Sequence, residues 1–256
     1  MALLAGLLAS IGCGIMGSFV VIKRLTFLAG GISHSVLAGM GAALYFGFSP
    51  VLGALLAAII AALLIGLIYL HWQTQEDTLI GAIWAIGMAI GILFIAKTPG
   101  YSTDLMSYLV GNILLVAPKD LAAMLMMDAG LLLGMGLFYR QFLAVAFDEE
   151  FARLRGLAVN FFYLLLLCLI AVTVVLLIQV VGLILVMALL TLPAAIASHY
   201  CYSLGQMMVL ATVLGSLFTS SGLAIAYLGD LPAGPTIILV AGIGYVLSAL
   251  FKYARI

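Results

Sequence analysis

Nine apolar runs in this sequence are each long enough to cross a bilayer: 2–22, 27–48, 50–70, 79–97, 120–139, 159–179, 181–198, 206–228 and 235–251. A helix rises about 1.5 Å per residue, so about 20 apolar residues traverse a hydrocarbon layer of roughly 30 Å. Lipid offers the backbone no hydrogen bonds, and helices satisfy their own. The expected fold is therefore all-α, a polytopic membrane bundle. Composition points the same way, with 67% apolar and 7% charged residues. Nine basic and nine acidic side chains cannot cover a soluble globule of 256 residues. Net charge is zero and no basic cluster exists, so nothing is available to neutralise phosphates and nucleic-acid binding is excluded. The length leaves room for the spans and little else. A single transmembrane domain over 1–256 is expected, with no appended soluble catalytic domain.

The division at Gln179-Val180-Val181-Gly182 leaves almost no loop, so eight long helices, one of them broken, compete with nine. Pro193 lies within a run and predicts a kink. With nine spans the termini lie on opposite sides. Lys23, Arg24, Arg140, Arg153, Arg155, Lys252 and Arg255 fall on one face, and Lys97 and Lys119 on the other. Basic residues concentrate on the cytoplasmic side, which places the N-terminus outside and the C-terminus inside. Met1 to Gly6 carries no basic n-region, so the first run reads as a retained helix. Cys13, Cys168 and Cys201 lack paired spacing and read as free thiols. The 28 glycines suit close helix approach in lipid.

Ionisable groups inside a membrane are costly and therefore functional candidates. His34 lies mid-run between Ser33 and Ser35, with glycines nearby. Its neutral imidazole is either a ligand for a passing transition metal or a side chain bonded to a neighbouring helix carbonyl. Asp128 faces either the bundle interior or a helix-end partner. His71 and His199 fall at run ends, as interfacial anchors do. Glu76 and Asp77 are placed to cap the helix that follows. Phe147 to Gly156 runs acids first, then the Phe151/Leu154 pair, then bases and a Gly stop, which predicts a short amphipathic helix. Exposed on the cytoplasmic face, with Asp148, Glu149 and Glu150 adjacent, it reads as a docking element for a soluble partner. Residues 101–116 read as a short helix at the outer mouth.

No Gly-x-x-x-x-Gly-Lys-Ser/Thr loop is present, so the chain is not expected to hydrolyse nucleotide itself. His-Glu-x-x-His is also absent, which removes the usual metalloprotease reading. Asp128 and Asp230 make no supported aspartyl pair, since Asp230 ends a helix. An enzyme is not expected.

Together these stretches resemble the permease subunits of ABC importers for zinc, manganese or iron. Ile32-Ser33-His34-Ser35-Val36-Leu37-Ala38-Gly39 is similar to the family's Leu-Ser-His-Ala-Val-Leu-Pro-Gly, and Glu76 to Gly81 to its Asp-Thr-Ala-Ile-Gly. Ser107 to Leu114 resembles Tyr-Leu-Phe-Gly-Ser-Ile-Leu, and Phe147 to Gly156 resembles Phe-Asp-x-Glu-x-Ala-x-x-x-Gly. Val181 to Ala195 is similar to Val-Gly-x-Leu-Leu-Val-x-Ala-Leu-Leu-x-x-Pro-Ala, and Asp230 to Pro235 to Asp-x-Pro-x-Gly. The six occur in the family's order along nearly the whole chain.

The resemblance implies a type II ABC importer-like fold and a homodimeric permease in a prokaryotic cytoplasmic membrane. It implies two ABC ATPase subunits docked inside and an extracytoplasmic metal-binding receptor. The divalent ion is then the substrate, and no cofactor resides on the chain. It makes the helix near 148–156 a coupling helix, with Asp148, Glu149, Glu150, Phe151, Ala152, Arg153 and Gly156 meeting the ATPase. It puts His34, Ser33 and Ser35 on the substrate path. Many relatives place an Asp four residues before the histidine, and here that position is Gly30. An ion passing His34 then relies on Ser33, Ser35, water or an acid from another span. Two alternatives remain: a permease for a larger metal chelate such as a siderophore or cobalamin, and an ion-coupled secondary transporter. The second should show matched repeats with broken helices and intramembrane acids.

Overall fold

The computed structural model describes residues 1–72, 76–98, 111 and 113–253. Helices α1 (Ala2–Ile22), α2 (Thr26–Phe46), α3 (Pro50–Trp72) and α4 (Glu76–Lys97) come first. A 3-10 turn at Ile113–Leu115 precedes α5 (Pro118–Phe147), the short α6 (Glu149–Leu154), and α7 (Val159–Val181). The chain ends with α8 (Leu183–Tyr200), α9 (Leu204–Gly229) and α10 (Ala233–Tyr253). Among the described residues nine helices are long and apolar enough to span a membrane, all but α6. Most of the mouth helix expected over 101–116 lies outside the described residues, as do the side chains of Glu76 and Asp77 and all of Arg255.

The competition between eight and nine spans is decided at Gly182. This residue adopts φ 85° and ψ 158° between α7 and α8, a conformation almost reserved for glycine. Helix α8 then runs uninterrupted through the buried Pro193. A break in helical dihedrals falls instead in α5, at Phe138 (φ −117°, ψ 18°). At 30 residues α5 is about 45 Å long, more than a bilayer needs, and it continues past Arg140.

The helices pack as two units, with α5 and α7 each contributing to both. One unit holds α1, the 3-10 turn, α5 to Leu137, α7 from Leu176, and α8 to α10. Every residue of α1 from Gly12 to Val20 is buried. Gly6 and Ser10 meet Thr219, and Gly14 meets Thr212, so α1 and α9 run antiparallel. Gly17 lies against the Leu190 carbonyl, and Val21 and Ile22 pack near Ala194 and Ala197, so α1 and α8 run parallel. Gly222 faces Ile237 and Gly244 faces Phe218, which makes α9 and α10 antiparallel. Met1, Gly182 and Asp230 therefore mark one end of this unit, and Lys23, His199 and Lys252 the other. The hydroxyls of Ser10 and Ser18 donate to the carbonyls of Gly6 and Gly14 at 2.7 Å, which satisfies them within their own helix.

The second unit holds α2, α3, α4, α5 from Phe138, α6 and α7 to Val175. Gly47, at φ 77°, ends α2 and turns the chain into α3. Gly39 then lies against Gly53, where the α2 and α3 backbones touch with no side chain between them. Along α2 and α4 the neighbours are Gly31 with Ile80, Ser35 with Gly87, and Gly41 with Gly91, so these two helices run parallel. The aromatic rings of Tyr69 and Tyr163 stack at 4.9 Å and join α3 to α7.

Candidate functional site

The three candidate path residues are consecutive on α2, and a helix turns 100° per residue, so they point in different directions. Ser33 is fully buried and its hydroxyl donates to the Ala29 carbonyl at 2.7 Å. Ser35 donates to the Gly31 carbonyl at 2.8 Å and lines an open crevice of about 780 Å³ between α2, α3 and α4. That crevice is walled by aliphatic and small residues, among them Gly39, Gly53 and Gly87, with Phe46 and Phe48, and has no charged lining group. Each serine thus commits its hydroxyl hydrogen to a carbonyl of its own helix.

His34 faces α4. Its imidazole stacks on the Trp84 indole with ring centres 4.1 Å apart and planes 11° from parallel. Nδ1 is enclosed and has no hydrogen-bond partner. The indole N–H is itself occupied, donating to Met88 Sδ at 3.2 Å. Of the two readings open for His34, a bond to a neighbouring helix carbonyl is not formed among the described residues. The Trp84 partnership was missed from sequence, because fifty residues separate the two rings.

Asp128 takes the interior alternative: it is 3% exposed within α5 and neither carboxylate oxygen has a hydrogen-bond partner. Asp230 sits exposed at the end of α9 with φ 49°. Among the described residues no group of three or more His, Cys, Asp or Glu side chains could hold a metal ion. His71, at the end of α3, donates from Nδ1 to the Leu67 carbonyl at 2.8 Å. His199, at the end of α8, lies beside Tyr245.

The short helix expected after Phe147 is α6. Asp148 caps it, with Oδ1 accepting from the Phe151 amide at 2.9 Å, and Gly156 at φ 77° closes it. Only Ala152 is buried there, while Glu149 is half-buried. Phe147, which ends α5, and Phe151 and Leu154, one turn apart on α6, are 63%, 50% and 87% exposed. The Arg155 guanidinium covers one face of the Phe151 ring at 4.8 Å, and Arg153 donates to Asn160 at 3.1 Å. An apolar stripe framed by fixed charges is thus presented outward, as an interface would need.

The fold and these two sites describe a multi-pass helical membrane protein carrying a short exposed helix between two of its spans. The ABC 3 transport family matches residues 1–252, and the chain belongs to that family. It is 43% identical to a "probable metal transport system membrane protein" of Chlamydia pneumoniae, over 97% of this chain and 87% of that one. It is 34% identical to the manganese transport system membrane protein MntC of Halalkalibacterium halodurans, over 98% and 86% respectively. The solved structure of PsaBC from Streptococcus pneumoniae in complex with Fab superposes with a TM-score of 0.86 at 34% identity, covering 96% of this chain and 89% of that one.

Proposed function

We propose that this chain is the membrane-spanning subunit of an ATP-driven importer that passes a divalent transition metal, zinc, manganese or iron, into a prokaryotic cytoplasm. It acts as a single permease domain in a homodimer, with the N-terminus outside and the C-terminus inside. An extracytoplasmic receptor delivers the ion, and separate ABC ATPase subunits hydrolyse the nucleotide. The observation that carries the reading is α6, an Asp148-capped helix showing Phe151 and Leu154 outward beside the exposed Phe147 that ends α5, in a member of an ABC transport family. Seated in an ATPase groove, it couples closure of the ATPase dimer to rocking of the spans.

The relatives' names, a metal transport protein and a manganese transport protein, support the substrate class. His34 offers the borderline nitrogen donor, and Ser33 and Ser35, turned away from it on α2, belong to the route rather than to its ligand set. A site this sparse suits conduction, because an ion must also leave it. The charge distribution supports the orientation: within the unit of α1, α8, α9 and α10, Lys23 and Lys252 share an end, opposite Asp230. The test is uptake of Mn²⁺, Zn²⁺ and Fe²⁺ into proteoliposomes with and without the ATPase and receptor. Uptake only with all components and ATP is expected. Uptake by the chain alone, driven by an ion gradient, would replace this reading with a secondary transporter.

A further inference from the structure

An imidazole that meets an ion is ordinarily oriented through its second nitrogen, which bonds a carboxylate, a carbonyl or water. At His34 that device is missing, because Nδ1 is enclosed without a partner. The ring is held instead by its face, on Trp84, at 4.1 Å and 11°. The same indole also reaches Phe27, with ring centres 5.9 Å apart. Phe27 and His34 are two turns apart on one face of α2, and Gly30 and Gly31 lie in the turn between them. An indole touching both rings therefore lies across that turn. Ile80, one turn before Trp84 on α4, packs against Gly31 and keeps the two helices close enough for this seating. The Trp84 N–H is fixed on Met88, so the indole plane is set from its other edge as well.

We propose that Trp84 is the positioning residue of the His34 site. Its indole, seated over the turn at Gly30 and Gly31, holds the imidazole by face-to-face stacking so that one nitrogen meets the ion. The inference rests on the reading of His34 as a point on the ion path. Trp84 orients; it does not ligate.

The test uses the complete complex in proteoliposomes, with Mn²⁺ as the probe and ATP hydrolysis measured in parallel. Trp84→Leu keeps apolar bulk but removes the ring face, and Trp84→Phe keeps a ring but removes the N–H. Trp84→Leu is expected to raise KM for Mn²⁺ about three- to tenfold, the range an aromatic stack supplies, with kcat and ATP turnover unchanged. Trp84→Phe should stay within about twofold of the unaltered protein by the same principle. Equal kinetics for the Leu and Phe variants would overturn the inference. His34→Ala separates the two levels. If it loses transport while Trp84→Leu is unaffected, only the positioning role falls; if it transports normally, the path through His34 falls with it.

Discussion

The contact between Gly39 and Gly53 makes a quantitative test of what holds α2 against α3. A Cβ on Gly39 would stand 2.5 Å from the Ala57 Cβ and inside the envelope of the Gly53 carbonyl oxygen; one on Gly53 would stand 2.6 Å from the Ala43 Cβ. Ordinary contact begins near 3.4 Å, so Gly39→Ala requires the helices to part by about 1 Å. A gap of that size forfeits a quarter to a half of each dispersion contact along the interface, and overpacking of this kind costs about 1–3 kcal/mol. Gly53→Ala should cost about the same. Once one methyl has parted the helices the second finds room already made, so the double variant should fall short of the sum by about 1 kcal/mol. Gly130→Ala is the control: nothing lies within 4 Å of a Cβ there, and the change should be neutral or mildly stabilising. The assay is reversible unfolding in mixed micelles, followed by circular dichroism. An additive double variant, or Gly39→Ala as harmless as Gly130→Ala, would refute the reasoning.

The remaining expectations can be checked on the same preparation. Gly182→Ala forces a side chain into φ 85° and should cost about 1–3 kcal/mol in the unfolding assay. Asp148→Ala removes the cap of α6, worth about 0.5–2 kcal/mol locally, and should raise the ATP consumed per ion, whereas Asp148→Asn should largely preserve coupling. Leu154→Asp should abolish transport without changing the unfolding midpoint, because the side chain is 87% exposed and supports no core. His34→Ala should lower ion flux with little loss of stability; failure of the protein to assemble would assign that histidine to packing instead.

The spans were legible because lipid imposes a rule that a local stretch of sequence can satisfy: enough apolar residues in a row, and helix throughout. The cap-to-glycine pattern of α6 was legible for a similar reason, since Asp148 needs only the amide three residues on. Which way the α6 side chains face was not. Phe151 and Leu154, the apolar pair of an amphipathic helix, both point outward, and the small Ala152 is the anchor. Burial of apolar groups directs packing in water, whereas beside a membrane an apolar side chain has little reason to turn inward.

The candidate site divides along the same line. His34 stood out as an ionisable group in an apolar run, and Asp128 likewise, from residue type and position alone. What surrounds them depended on helix crossings. Serines 33 and 35 accompany His34 in sequence but diverge from it on the helix, while Trp84, fifty residues away, stacks on its ring because α2 and α4 run parallel past small residues. By itself the sequence determined that the chain spans a membrane, where most of the spans lie, though not that α5 runs on to Phe147 beyond the expected end at 139, and where a capped helix interrupts them, since these follow from hydropathy, backbone hydrogen bonding and charge over short distances. The tertiary structure decided which helices are neighbours, that Asp128 lies buried without a partner, and that an indole rather than a carboxylate attends the histidine. Those outcomes depend on close approach between glycine-lined surfaces, and inside lipid it is shape, with no gradient of hydrophobicity to follow, that selects among them.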